Sequence, residues 1–101
     1  MVSTTVTERA DAERLAALLL EEKLAACVQI LAIDSRYVWK GETNRHPELM
    51  LLIKTRSALF ESVMARLTQE HPYETPEIVA TVFAAGFAGY FNWIEENTKP
   101  E

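Results

Sequence analysis

Hydrophobic residues recur at two different periods along this chain, and the order in which the periods alternate restricts the fold more than any single motif. Ala12, Leu15, Ala16 and Leu19 fall at helical spacing, with Glu13, Arg14, Glu21, Glu22 and Lys23 on the opposite, solvated side. Thr7 or Asp11 is placed to cap a helix starting near Glu8. Before it, Met1 to Val6 is short and β-tolerant. Ala25 to Lys40 then reads as an extended strand, with room for a bend near Asp34 and Ser35, because Cys27, Val28, Ile30, Leu31, Ile33, Tyr37, Val38 and Trp39 are interspersed with polar residues off the helical period. Turn chemistry from Gly41 to Arg45 leads into Leu49–Ile53, an apolar run suited to a strand buried on both faces, so the two runs predict a long hairpin. Ser57 caps a second helix whose Phe60, Val63, Met64 and Leu67 fit the i, i+3, i+4, i+7 template.

Between that helix and the next strand lies His71-Pro72-Tyr73-Glu74-Thr75-Pro76-Glu77-Ile78. Each proline fixes its own φ and biases the preceding residue away from the helical region, so the helix stops near Glu70 and the side chains beyond it sit in a set geometry. Ile78–Phe83 predicts a strand, Gly86 and Gly89 mark a loop, and Phe87, Tyr90, Phe91 and Ile94 give a last helix an aromatic face. The order β-α-β-β-α-β-α describes an α+β, ferredoxin-like βαββαβ sandwich with an additional C-terminal helix. Residues 1–101 form one domain, with 96–101 expected as a loose polar tail. Helices on one face leave the second and third strands too long and too apolar to be bare, which predicts a homo-oligomer joined through them.

Fifteen acidic against ten basic residues, the latter scattered, argue against nucleic acid as a partner. No apolar stretch reaches the roughly 20 residues that span a bilayer, and Cys27 is the only cysteine, so no membrane partner and a cytoplasmic location are expected.

Glu22-Lys23-Leu24-Ala25-Ala26-Cys27-Val28, Tyr37-Val38-Trp39-Lys40-Gly41, Leu52-Ile53-Lys54-Thr55, the octapeptide from His71 to Ile78, and Tyr90-Phe91-Asn92-Trp93-Ile94 together resemble the CutA family of divalent-cation tolerance proteins. The resemblance runs collinearly from about Thr7 to Ile94. It implies a ferredoxin-like subunit, similar to the PII signalling proteins, assembled as a homotrimer through the extended strands. It also implies a protein that binds copper or another divalent metal. The ligands assigned in some members, a first-strand cysteine and two adjacent histidines ending the second helix, fall here at Thr4, Glu70 and His71, so only His71 carries over.

His71 is thus the first metal candidate, with Cys27 and Glu70 behind it, against plain readings of His71 as a helix-terminating residue and Cys27 as a small buried hydrophobe. His46, before Pro47, reads as a solvated loop residue with a lesser claim to metal. Tyr37 and Trp39 share a strand face and could wall a ligand pocket with Lys54, or pack in a subunit interface. Tyr73, Glu74 and Glu77 belong to the same pocket or interface. No nucleophile, base and orienter can be matched, no phosphate loop is present and no closed zinc spacing occurs, so no enzyme and no organic cofactor are expected. Three functions follow: a divalent-metal (copper or zinc) binding protein of metal tolerance, a PII-like trimeric sensor of a small anionic metabolite, or an interaction scaffold without a ligand.

Overall fold

The computed structural model describes residues 1–100. Strands β1 (Val2–Val6), β2 (Cys27–Trp39), β3 (Glu42–Lys54) and β4 (Ile78–Ala80) form one antiparallel sheet in the order β2-β3-β1-β4. Helices α1 (Arg9–Glu21) and α2 (Phe60–Glu70) cover one face, and α3 (Ala88–Glu96) follows the sheet in the chain. This is the expected ferredoxin-like α+β order with its extra helix.

Alternation builds the core. Val2, Thr4 and Val6 of β1 stand opposite Ile53, Leu51 and Leu49 of β3, which in turn stand opposite Val28, Ile30 and Ala32 of β2. All but the exposed Ala32 pack toward the helices, where Leu15, Leu19, Val63 and Leu67 are fully buried. Leu49–Ile53 is therefore buried on one face only. Met50 and Leu52, on the other, are half-buried.

Several local expectations are corrected. β2 pairs with β3 without a break through Asp34 and Ser35, so the ladder has no interruption there. The hairpin turn is confined to Lys40 (φ 50°) and Gly41 (φ 80°), with β3 resuming at Glu42. Positive φ at both central residues suits the right-handed strand twist, and it lets Glu42–Arg45 pair instead of looping. β4 ends at Ala80 rather than Phe83: its pairing with β1 runs from Ile78 to Ala80, and the Thr81 amide beyond it bonds the Met1 carbonyl (2.8 Å). Neither α1 nor α2 has a side-chain cap: the Thr7 hydroxyl is spent on Tyr73, Asp11 binds Arg14, and Ser57 lies inside a 3₁₀ turn, Ser57–Leu59, that feeds α2. Gly89 belongs to α3, while Gly86 stays in the loop, where a Cβ would come within 2.3 Å of the Phe91 ring.

The tail is not loose where described. Glu96 is helical, Thr98 is buried and receives a bond from Arg56 (2.9 Å), and the Lys99 amide bonds the Lys23 carbonyl (2.8 Å). Glu101, the end of that expected tail, lies outside the described residues.

α1 closes through paired backbone bonds, Leu24 N–H to Leu19 (2.9 Å) and Lys23 N–H to Leu20 (3.1 Å), with Leu19 and Leu24 both buried. Lys23 supplies the left-handed residue (φ 58°) that glycine usually provides. Lys23→Gly should therefore raise the unfolding free energy by about 0.5–1 kcal/mol in a urea titration, the relief of left-handed strain exceeding the added freedom of the unfolded chain.

Candidate functional site

The junction after α2 is fixed by one imidazole. His71 takes an extended conformation (φ −72°, ψ 135°) before Pro72 while its own amide still bonds the Leu67 carbonyl at 2.8 Å. The side chain turns toward β1. Nδ1 accepts the Tyr73 backbone N–H (3.1 Å), which places the ring proton on Nε2, 2.9 Å from the Thr5 carbonyl and 3.0 Å from the Thr4 hydroxyl. Burial pushes its pKa below the ordinary 6.5, against the opposite pull of the Thr5 carbonyl and of Asp11 and Glu48. The ring is held neutral with both nitrogens engaged.

The expected metal set is consequently not assembled around His71. Glu70 is taken by Arg14 (3.1 Å) and Arg66 (3.0 Å), and Thr4 is fully buried. Cys27, half-buried, begins β2 opposite Lys54. Among the described residues, no three His, Cys, Asp or Glu side chains come together as a metal-ligating group.

The other residues singled out from the sequence do converge. Tyr37 and Trp39 of β2, with Tyr73, Glu74 and Glu77 of the junction, line one cavity of about 460 Å³ on the sheet face away from α1 and α2. Lys54 does not belong to it. Lys54 lies ten residues along β3 from Asn44, the partner of Tyr37, a separation of about 34 Å at the antiparallel rise.

Among the lining residues that the sequence does not point to in this role are His46 and Glu48. His46 lies in β3 rather than a loop, and Glu48, two residues on, presents its carboxylate to the same face. A histidine and a glutamate two residues apart, just before the apolar run from Leu49 to Ile53, are the available signal. Pro47 between them is tolerated because pairing of β3 with β1 ends at Leu49.

Glu48 is buried yet ionised: burial pushes its carboxyl up, but hydrogen bonds from Tyr73, Ser35 and Thr5, with His46 nearby, outweigh it and bring the pKa below the usual 4.5. Tyr73 donates to Glu48 at 2.7 Å and accepts from the Thr7 hydroxyl at 2.6 Å. Burial is the main reason that its phenol is pushed up to about 12. His46 makes only long contacts, 3.4 Å from Nε2 to Thr7 and 3.5 Å from Nδ1 to the Tyr37 hydroxyl. Arg36, the guanidinium at the rim, is paired with Asp34 (3.4 Å).

The profile of the family described as CutA1 divalent ion tolerance protein matches residues 1–97. A divalent-cation tolerance protein CutA of Thermus thermophilus is 42% identical over 99 residues, covering 97% of this chain and 96% of that one, and its solved structure superposes with a TM-score of 0.91. A chloroplastic CutA of Arabidopsis thaliana is 36% identical over 98% of this chain, which spans only 55% of that protein's length. A structure described as a periplasmic divalent cation tolerance protein CutA from Archaeoglobus fulgidus is 37% identical, covers 97% and 96% of the two chains, and gives a TM-score of 0.93. Relatives assigned to a plastid and a periplasm overturn the cytoplasmic location expected from the lone cysteine. A single thiol carries no information about compartment.

A pH titration reads the His71 assignment. Because its folded pKa lies below the unfolded 6.5, the native state binds fewer protons and stability is lost as pH falls from about 7 through 6.5 to the lowered value. Glu48 acts outside that window, since its contribution is complete above 4.5 and lost only below. The urea midpoint should drop between pH 7.5 and 5.5 in the native chain and drop less in His71→Gln; equal drops would remove His71 as the cause.

Proposed function

The chain belongs to the CutA1 divalent ion tolerance family, and we propose that it serves that role without catalysis, as a homotrimer that binds divalent copper or zinc exchangeably at His46 and Glu48. The observation that carries this reading is the pairing of the one imidazole free of short hydrogen bonds with an ionised carboxylate on the same strand face. Imidazole and carboxylate suit zinc and Cu(II). Two protein donors leave most coordination positions to water, which makes the ion exchangeable rather than structural. Glu74 and Glu77 add negative charge at the same rim.

Assembly through the strands is supported by apolar surface on the uncovered sheet face. Leu31 is 41% exposed and Val79 48%, and the 13-residue strands of the hairpin give the subunit a long axis of 44 Å against 26 and 21 Å. A second reading, the sensor of a small metabolite, is favoured by the cavity itself, whose volume far exceeds an ion's need and falls within the range of small-molecule sites. A ligand-free scaffold would leave that cavity without a use.

Calorimetric titration with zinc and Cu(II) should show binding that weakens roughly tenfold or more in His46→Ala and persists in His71→Ala. Loss in His71→Ala with His46→Ala unaffected would reverse the assignment. Light scattering should give three times the 11.4 kDa chain mass, falling toward one in Leu31→Asp; a monomeric native chain would end the trimer reading.

A further inference from the structure

We propose that the cavity between the β2–β3 hairpin and the His71–Glu77 junction binds an organic ammonium ligand, a small amine with an apolar body, rather than an anion. The proposal rests on the small-molecule reading of this cavity and fixes the ligand's chemical class. Tyr37, Trp39 and Tyr73 give it aromatic walls, and Glu48, Glu74 and Glu77 contribute three carboxylates. Against these stands one guanidinium, Arg36, already paired with Asp34 on the neighbouring position of its own strand face. Three carboxylates less one guanidinium leave the charged lining at a formal −2, and the Lys40 ammonium beside Trp39 still leaves the surroundings negative. An anion would enter against that field, whereas Lys54, the cation that would have met it, stands at the far end of the sheet.

Rings and carboxylates around one volume are complementary to an alkylammonium ion, the charge meeting the acids and the ring faces while the methylenes cover the aromatic edges. The Trp39 ring already draws an ammonium: Lys40 Nζ lies 5.8 Å from its centroid. Trp39 is 41% exposed, with ring surface left for a ligand. Glu48, the buried acid, is held in place by Tyr73, so the deepest charge is fixed before any ligand arrives.

The test compares 1,4-diaminobutane and tetramethylammonium with succinate, a dianion of matched length, by thermal shift and calorimetry on the full chain. Both ammonium ions should raise Tm and succinate should not. The diamine dissociation constant should rise roughly tenfold in Trp39→Ala and in Glu74→Gln, both exposed positions whose replacement leaves the core intact, and should weaken with added salt. Binding of succinate alone would overturn the ammonium assignment while leaving the cavity a small-molecule site. Diamine binding unchanged in both variants would place the amine elsewhere and overturn the proposal. No shift with any of the three would overturn both the proposal and the small-molecule reading it rests on.

Discussion

The contact on which the candidate site depends is the bridge from the His71 imidazole to β1. Its Nε2 proton reaches the Thr5 carbonyl while Nδ1 holds the Tyr73 amide, so one ring joins the end of α2, the first residues of the junction and the middle of β1. With both prolines limiting the backbone, this is enough to set where Tyr73 points. The Tyr73 ring meets the His71 ring edge-on at 4.9 Å, and its hydroxyl is delivered to Glu48 on β3. A loop that might have been a passive connection between helix and strand becomes a wall of the cavity. The neutrality of His71 belongs to the same arrangement, since a protonated ring would present N–H at Nδ1 to another N–H.

Hydrogen bonds around the cavity run in one direction. Tyr73 donates to Glu48, which leaves its oxygen to accept from Thr7, whose own oxygen faces His46 Nε2; His46 Nδ1 then faces the Tyr37 hydroxyl. The first two links are short and the last two are at the limit of bonding. The acid at one end is therefore fixed, and the imidazole at the other is free to exchange partners. This division of labour, a rigid charge and an adaptable base, is what separates His46 from His71 in a chain that has only these two histidines.

Much of the fold was legible because periodicity reports which side of an element is buried. The stripes at Leu15 and Leu19 and at Val63 and Leu67 are helix faces against a sheet, and the hairpin strands follow from the β-branched and aromatic run after Ala25. What periodicity does not report is where a partner ends. β4 stops at Ala80, where its register against β1 ends, and Glu42 joins β3 because a two-residue turn suffices, facts belonging to the register of two strands rather than to either alone. The site divides in the same way. Tyr37 and Trp39 share a face by the two-residue period of a strand, and the junction carries an imidazole, a phenol and two carboxylates in eight residues. Lys54 is carried by the register to the far end, and Glu48, between Pro47 and the apolar run that starts at Leu49, shows nothing in the sequence of the Tyr73 hydroxyl that reaches it.

Cavity and uncovered sheet face share the same two strands. Leu31 on β2 and Met50 on β3 stand on the face that also carries Tyr37, Trp39, His46 and Glu48 farther along. In an assembly made through those strands, the hairpin's position is set by its neighbours as well as by its own turn. A ligand held between Trp39 and Glu74 would touch both the hairpin and the junction, and so would favour one setting of the hairpin over others. Occupancy and assembly would then be linked reciprocally: whatever the ligand adds to subunit association, association returns to ligand affinity. In such an assembly a response would need no large movement, because the cavity is lined by Tyr37 and Trp39 of the same hairpin through which the subunits would join.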